Sequence, residues 1–185
     1  MCNCEGHINY ERIRRKYHPG EQGLMTRVLF IGESPPRRSF FYCKNSLLYR
    51  AVYCAFNRKF GVQEENFLEF FKDCGCCLVD LFAEPGLKIT DVQGTSKMED
   101  ALNRLRELLS KERPMAVIVV IKRICKNVMR LIDELREKDG SLNIMYRCLR
   151  FPRGRYFKDF VERVVRVPDE LIKQGILPGD CSFEK

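Results

Sequence analysis

Four short segments in this chain read as strands, the first and third of them apolar on nearly every residue, and their spacing limits the folds open to it. They are "RVLFIG" (27–32), "CCLVDLF" (76–82), "MAVIVVI" (115–121) and "LNIMYRCLRFP" (142–152). A strand that is apolar at every position, rather than at alternate ones, has both faces buried, which is the condition of a parallel sheet. Between the four lie helical patterns. In "NSLLYRAVYCAFNRKFG", Leu47, Leu48, Ala51, Val52 and Ala55 repeat at helical spacing, Ser46 is placed as N-cap and Gly61 as a stop. "EENFLEFFKDCG" is a second short helix, ending at Gly75. "TSKMEDALNRLRELLSKERP" carries a Ser/Thr cap and stops before Pro114. "KRICKNVMRLIDELREKDG" ends at Gly140, and "RYFKDFVERVVRV" is a last helix. Strands that alternate with helices of this length need crossover connections. The expected fold is therefore α/β: a three-layer α/β/α sandwich on a central parallel sheet of about four strands.

The chain has 185 residues, enough for one domain with its own core. Residues 1–26 read as a basic N-terminal extension containing "RIRRK", and residues 27–185 as the α/β domain. No apolar run approaches the ~20 residues a membrane helix needs. The start of the chain has no apolar stretch of a secretory signal, so a cytoplasmic protein without a membrane partner is expected. The formal net charge of +8 favours polyanionic partners.

The ten cysteines admit two readings, buried thiols or metal ligands. Cys2 and Cys4 lie near His7, and Cys74 and Cys77 have CxxC spacing with Cys76 between them, but no second CxxC answers that pair. Cys43, Cys54, Cys125 and Cys148 fall in patterned segments and read as buried thiols. No cofactor is expected; an iron–sulfur cluster or zinc at Cys2, Cys4, Cys74 and Cys77 is the alternative.

In parallel sheets ligands sit beyond the carboxyl ends of the strands. After the first strand comes "GESPPRRSFFY". Gly32 permits close backbone approach, Pro35 and Pro36 stiffen the loop, and Arg37 and Arg38 can meet phosphate. Phe40 and Phe41 offer faces on which a base could stack, or else pack beneath the first helix. Asp80 ends the second strand among apolar neighbours, where an acid needs a partner. Glu84 follows it as a lesser acid. Lys122 and Arg123 follow the third strand. After the fourth come Arg150, Arg153, Gly154 and Arg155 at the start of the last helix, where backbone N–H groups and the helix dipole suit an anion.

Taken in order, "VLFIGESPP", Phe40-Phe41, "CLVDL", "RPMAVIVVIKRI" and "CLRFPRGRYFKDFV" resemble the uracil-DNA glycosylase superfamily over roughly residues 27–167. The resemblance implies a base flipped into a pocket at the strand ends of an α/β/α sandwich, with DNA as the partner. It assigns Glu33 to orient the attacking water and Asp80 to read the base edge. Gly32, Ser34, Pro35, Phe40 and Phe41 would form the base pocket. Arg37, Arg153, Gly154 and Arg155 would hold DNA phosphate. Three departures accompany it. Ser34 stands where other branches carry Asp or Asn, Asp80 stands where Asn is common, and Phe151-Pro152 replaces a His-Pro pair. The expectation is thus a DNA glycosylase acting on a deaminated or damaged base, and the alternative is a non-catalytic nucleic-acid-binding protein on the same fold.

Overall fold

A computed structural model describes residues 9–176. In chain order the elements are α1 (Tyr10–Lys16), β1 (Val28–Gly32), α2 (Leu47–Phe60), α3 (Phe67–Asp73), β2 (Cys76–Asp80), α4 (Ile89–Val92), α5 (Ser96–Glu112), β3 (Ala116–Val119), α6 (Lys122–Lys138), β4 (Met145–Cys148) and α7 (Tyr156–Lys173). The four strands form one parallel sheet in the order β2-β1-β3-β4. Helices cover both of its faces, as the apolar runs require.

Alternation along the strands divides the core in two. Val28, Phe30, Leu78 and Ile118 face α2, α3 and α7, while Leu29, Ile31, Val117 and Val119 face α4, α5 and α6. The connection from β1 to β2 lies on the first side, and those from β2 to β3 and β3 to β4 on the second. The chain therefore reverses its winding between β1 and β3, and this is the topological switch point of the sheet.

Local signals set several boundaries. Ser46 accepts the backbone N–H of Tyr49 at 3.0 Å, and Gly61 ends α2 in the left-handed conformation at φ 67°. Thr95 precedes α5 but does not cap it with its side chain: its hydroxyl donates to the Val92 carbonyl at 2.8 Å. The last helix runs six residues past Val167, through Pro168. Val164, Val167, Pro168 and Leu171 continue one buried stripe, and that burial outweighs the hydrogen bond a proline cannot make.

As an edge strand, β2 has outward backbone groups that need partners. Tyr42, the last aromatic of "SFFY", supplies them at its middle. Its hydroxyl accepts the Leu78 N–H at 2.6 Å and donates to the Leu78 carbonyl at 2.9 Å. Burial pushes the Tyr42 hydroxyl well above its ordinary pKa, so it keeps the proton that this double role requires. Residues of the N-terminal extension then pack over that edge. Tyr17 stacks on Tyr42 with centroids 5.5 Å apart, and Tyr10 Oη donates to the Pro36 carbonyl at 3.2 Å.

The cysteines are used differently from expectation. Cys125 and Cys148, read as buried thiols, are bridged, joining α6 to β4 across 6.0 Å between Cα atoms. Cys74 and Cys77 do not converge as a CxxC pair. Cys77 lies within β2 and points into the α4–α6 side, whereas Cys74 belongs to the opposite core. Among the described residues no group of three His, Cys, Asp or Glu is arranged to hold a metal. Cys2 and Cys4 lie outside the described residues. Within the same limits, no helix is long and apolar enough to cross a membrane.

Replacing Tyr42 by Phe leaves both Leu78 groups without a partner and is expected to lower stability by about 1–3 kcal/mol. Urea denaturation measures this, and an unchanged midpoint would show that the hydroxyl does not close the edge.

Candidate functional site

The carboxyl ends of all four strands meet on one rim. Here β1 and β2 stay joined past their last residues: Leu81 N–H donates to the Gly32 carbonyl at 3.0 Å and Phe82 N–H to the Glu33 carbonyl at 2.8 Å. Gly32 lies opposite Asp80 in the register, and a Cβ on Gly32 would overlap the Asp80 carboxyl. A side chain there would have to displace the Asp80 carboxyl that Arg14 holds.

Glu33 follows β1 at the switch point and is 3% exposed. A buried carboxylate must be compensated. Its Oε1 accepts the Ile89 N–H at 3.0 Å, from the first residue of α4. Its Oε2 accepts Nη2 of Arg123, in the first turn of α6. The Glu33 side chain is buried, while that of Arg123 is 48% exposed. The ion pair thus has one end fixed in the protein and the other open to solvent.

Asp80 is held by a different cation. Arg14 Nη2 of α1 donates to Asp80 Oδ2 at 2.9 Å, and both side chains are largely buried. Burial raises the Asp80 pKa to about 6, with the Arg14 charge and hydrogen bond opposing that rise. Near neutral pH Asp80 is mostly the ionised partner of Arg14; below about 6 it gains a proton and can offer a donor.

The rest of the expected site separates into two groups. Arg37, Arg153, Gly154 and Arg155 are exposed on the rim, together with Arg38, Lys122, Arg123 and Arg150. Ser34 is partly buried and Pro35 is buried, and the Pro35 carbonyl accepts the Gly86 N–H at 2.8 Å. Gly154, just before α7, has φ 55°, a conformation that favours glycine. The ring of Tyr156 is flanked by the Arg150 and Arg155 guanidinium carbons, each 5.1 Å from its centroid.

Phe40 and Phe41, expected to stack on a base, are core residues instead. They are 1% and 3% exposed. The Phe41 ring meets Tyr42, Tyr49, Phe67 and Phe71, and the Phe40 ring meets Tyr10 and Tyr42. The physical reason is the sheet edge: seating Tyr42 against Leu78 draws the preceding rings inward with it. Neither ring keeps a free face. Glu84 is exposed and pairs with Lys97 at 3.3 Å.

Two residues that complete the site were not singled out for their roles. Arg123 belongs to the "KRIC" segment read only as basic rim, and Arg14 lies in the run "RIRRK" of the extension. The available signal was electrostatic: two acids at the ends of buried strands each demand a cation.

The Asp80 titration has a definite sign. The folded protein binds this proton more tightly than the unfolded chain, whose carboxyl keeps the ordinary value of 3.8. The associated stability is present below that value and is lost as pH rises through about 6. Asp80→Asn is expected to flatten this part of the stability–pH curve. Melting temperatures of both proteins between acid and neutral pH measure it, and parallel curves would contradict it.

The chain matches no family model and no curated protein.

Proposed function

We propose that this protein is a uracil-DNA glycosylase-like enzyme that engages DNA across the carboxyl rim of its sheet and releases a deaminated or damaged base at Glu33. The observation carrying this reading is the position of Glu33, a buried carboxylate at the switch point of a parallel sheet, where folds of this kind bind ligands. Around it the rim is lined by exposed arginines, the surface that phosphate contacts need.

The chemistry follows from that position. In hydrolysis of the N-glycosidic bond, the C1′–N bond breaks with its electron pair leaving on the base. Positive charge develops on the sugar, and water adds to C1′. An anionic Glu33 stabilises that charge and orients the water, whose proton then passes by way of the carboxylate to the departing base. With both oxygens already engaged, Glu33 needs one of them released. Arg123 is the partner able to leave, because its side chain is half exposed, and a DNA phosphate at the rim competes for it. Asp80 beside Gly32 supplies the polar edge for the base. Phe41 has no part in this version of the site.

A second reading rests on the same ion pairs. Glu33 and Asp80 are both neutralised by arginines and the two phenylalanines are buried, which suits a protein that binds nucleic acid without cleaving it.

Duplexes carrying uracil, hypoxanthine or xanthine separate the two readings. The enzyme reading expects base release from at least one of them and loss of about 10²-fold or more in rate with Glu33→Gln. Binding without release from any duplex would establish the second reading. Both expect Arg153→Ala to weaken binding and to lower the salt dependence by about one phosphate contact. Salt-independent binding would contradict both.

A further inference from the structure

On the Asp80 side of the sheet, a cleft of about 300 Å³ lies between α1, the following turn and α5, beside the carboxyl end of β2. Its volume lies at the lower end of the range for small-molecule sites. Leu105 and Ala101 of α5 and Val79 of β2 give it apolar walls, and Arg14, His18 and Arg104 are among its charged and polar lining.

Two buried polar atoms in that lining have no hydrogen-bond partner: Nε of Arg14 and Nδ1 of His18. Buried polar groups are nearly always satisfied, so two orphans in one cleft call for an explanation. Arg14 lies in the last turn of α1 and His18 two residues beyond its end, and both line the cleft. His18 is 7% exposed. Burial holds its imidazole below its ordinary pKa, with the nearby Arg14 charge acting in the same direction and Glu112 against it. Neutral imidazole can present Nδ1–H to a ligand oxygen, and Arg14 Nε can only donate.

The acids around the cleft are mostly committed. Asp80 accepts from Arg14, and Glu112 accepts the Thr26 hydroxyl at 2.8 Å. Arg104, by contrast, is exposed and makes no ion pair among the described residues. Among the described residues, the uncommitted groups of the lining are three donors, Arg14 Nε–H, His18 Nδ1 and the Arg104 guanidinium, against one unpaired and exposed carboxylate, Glu21. The oxygens of a carboxylate or phosphate accept charge-assisted bonds from such donors.

We infer that this cleft binds a small free molecule through a phosphate or carboxylate group, with Arg14 and His18 as its inner donors and Arg104 as its outer one. The cleft shares Asp80, the acceptor of Arg14, with the proposed base site, but anion binding here requires no base release at Glu33, so the two readings fail on different measurements. Proton NMR of the full chain tests it, because the chain has only two histidines, His7 and His18. The probes are inorganic phosphate, malonate and a short DNA duplex, each at constant ionic strength. The expected result is a saturable shift of the His18 ring signals with phosphate or malonate; the tighter of the two identifies the class. Arg104→Ala is expected to weaken that binding about tenfold, the equivalent of one charge-assisted hydrogen bond. Arg14→Lys, which keeps the charge but removes the Nε–H, weakens it similarly, and if that variant fails to fold, Arg104→Ala alone decides. A non-saturating shift, or one unchanged by Arg104→Ala, overturns the proposal. So does a shift produced by the duplex alone, which makes the cleft part of a nucleic-acid surface.

Discussion

The organisation of the strand ends depends on the compensation of one buried carboxylate. Glu33 takes an N–H from the start of α4 on one oxygen and the Arg123 guanidinium from the start of α6 on the other, while its own carbonyl receives an N–H from beyond β2. Three segments distant in sequence are thereby tied to one residue. An acid left uncompensated at this depth would cost several kcal/mol, so the loops after β1, β2 and β3 are fixed relative to one another by electrostatics as much as by packing.

The second acid repeats the arrangement at the sheet edge. Asp80 at the end of β2 draws in Arg14, and α1 comes with it, over the edge already closed by the Tyr42 hydroxyl. The basic extension thus does structural work at the strand ends. Its helix and the turn after it bring the two unpartnered nitrogens to the cleft beside α5. The two carboxylates also serve the functional proposals differently: Glu33 faces a rim of exposed arginines suited to a polyanion, whereas Asp80, the polar edge proposed for the base, also borders the cleft suited to a small anion.

Much of this was legible in the chain. Residues 27–32 and 115–121 are apolar at consecutive positions, which fixed their burial on both faces and hence the parallel sheet. Ser46 and Gly61 bounded α2 by side-chain capping and backbone freedom, both local effects. Asp80 stood out because an acid at the end of a buried strand is costly, and Glu33 through the resemblance of "GESPP" to the glycosylase motif. Their partners were not legible, because Arg14 is 66 residues from Asp80 and Arg123 is 90 from Glu33. Nothing local distinguishes those arginines from their basic neighbours. Phe40 and Phe41 misled for a related reason. Flat rings after a strand suit stacking or packing equally, and only the demand of the β2 edge for Tyr42 decided between them. Likewise the helical pattern of the last segment ends at Val167, while the apolar stripe that carries α7 on through Pro168 becomes compelling only once it packs in the core.

The central claim is that the carboxyl rim around Glu33 is the nucleic-acid face of the molecule. Amide hydrogen exchange with and without a short duplex tests it most directly. The account predicts added protection in residues 32–38, 80–86, 121–124 and 150–157, the loops that follow the four strands, with the outer surfaces of α5 and α6 unchanged. Protection confined to those helices, or to the opposite end of the sheet, would contradict it.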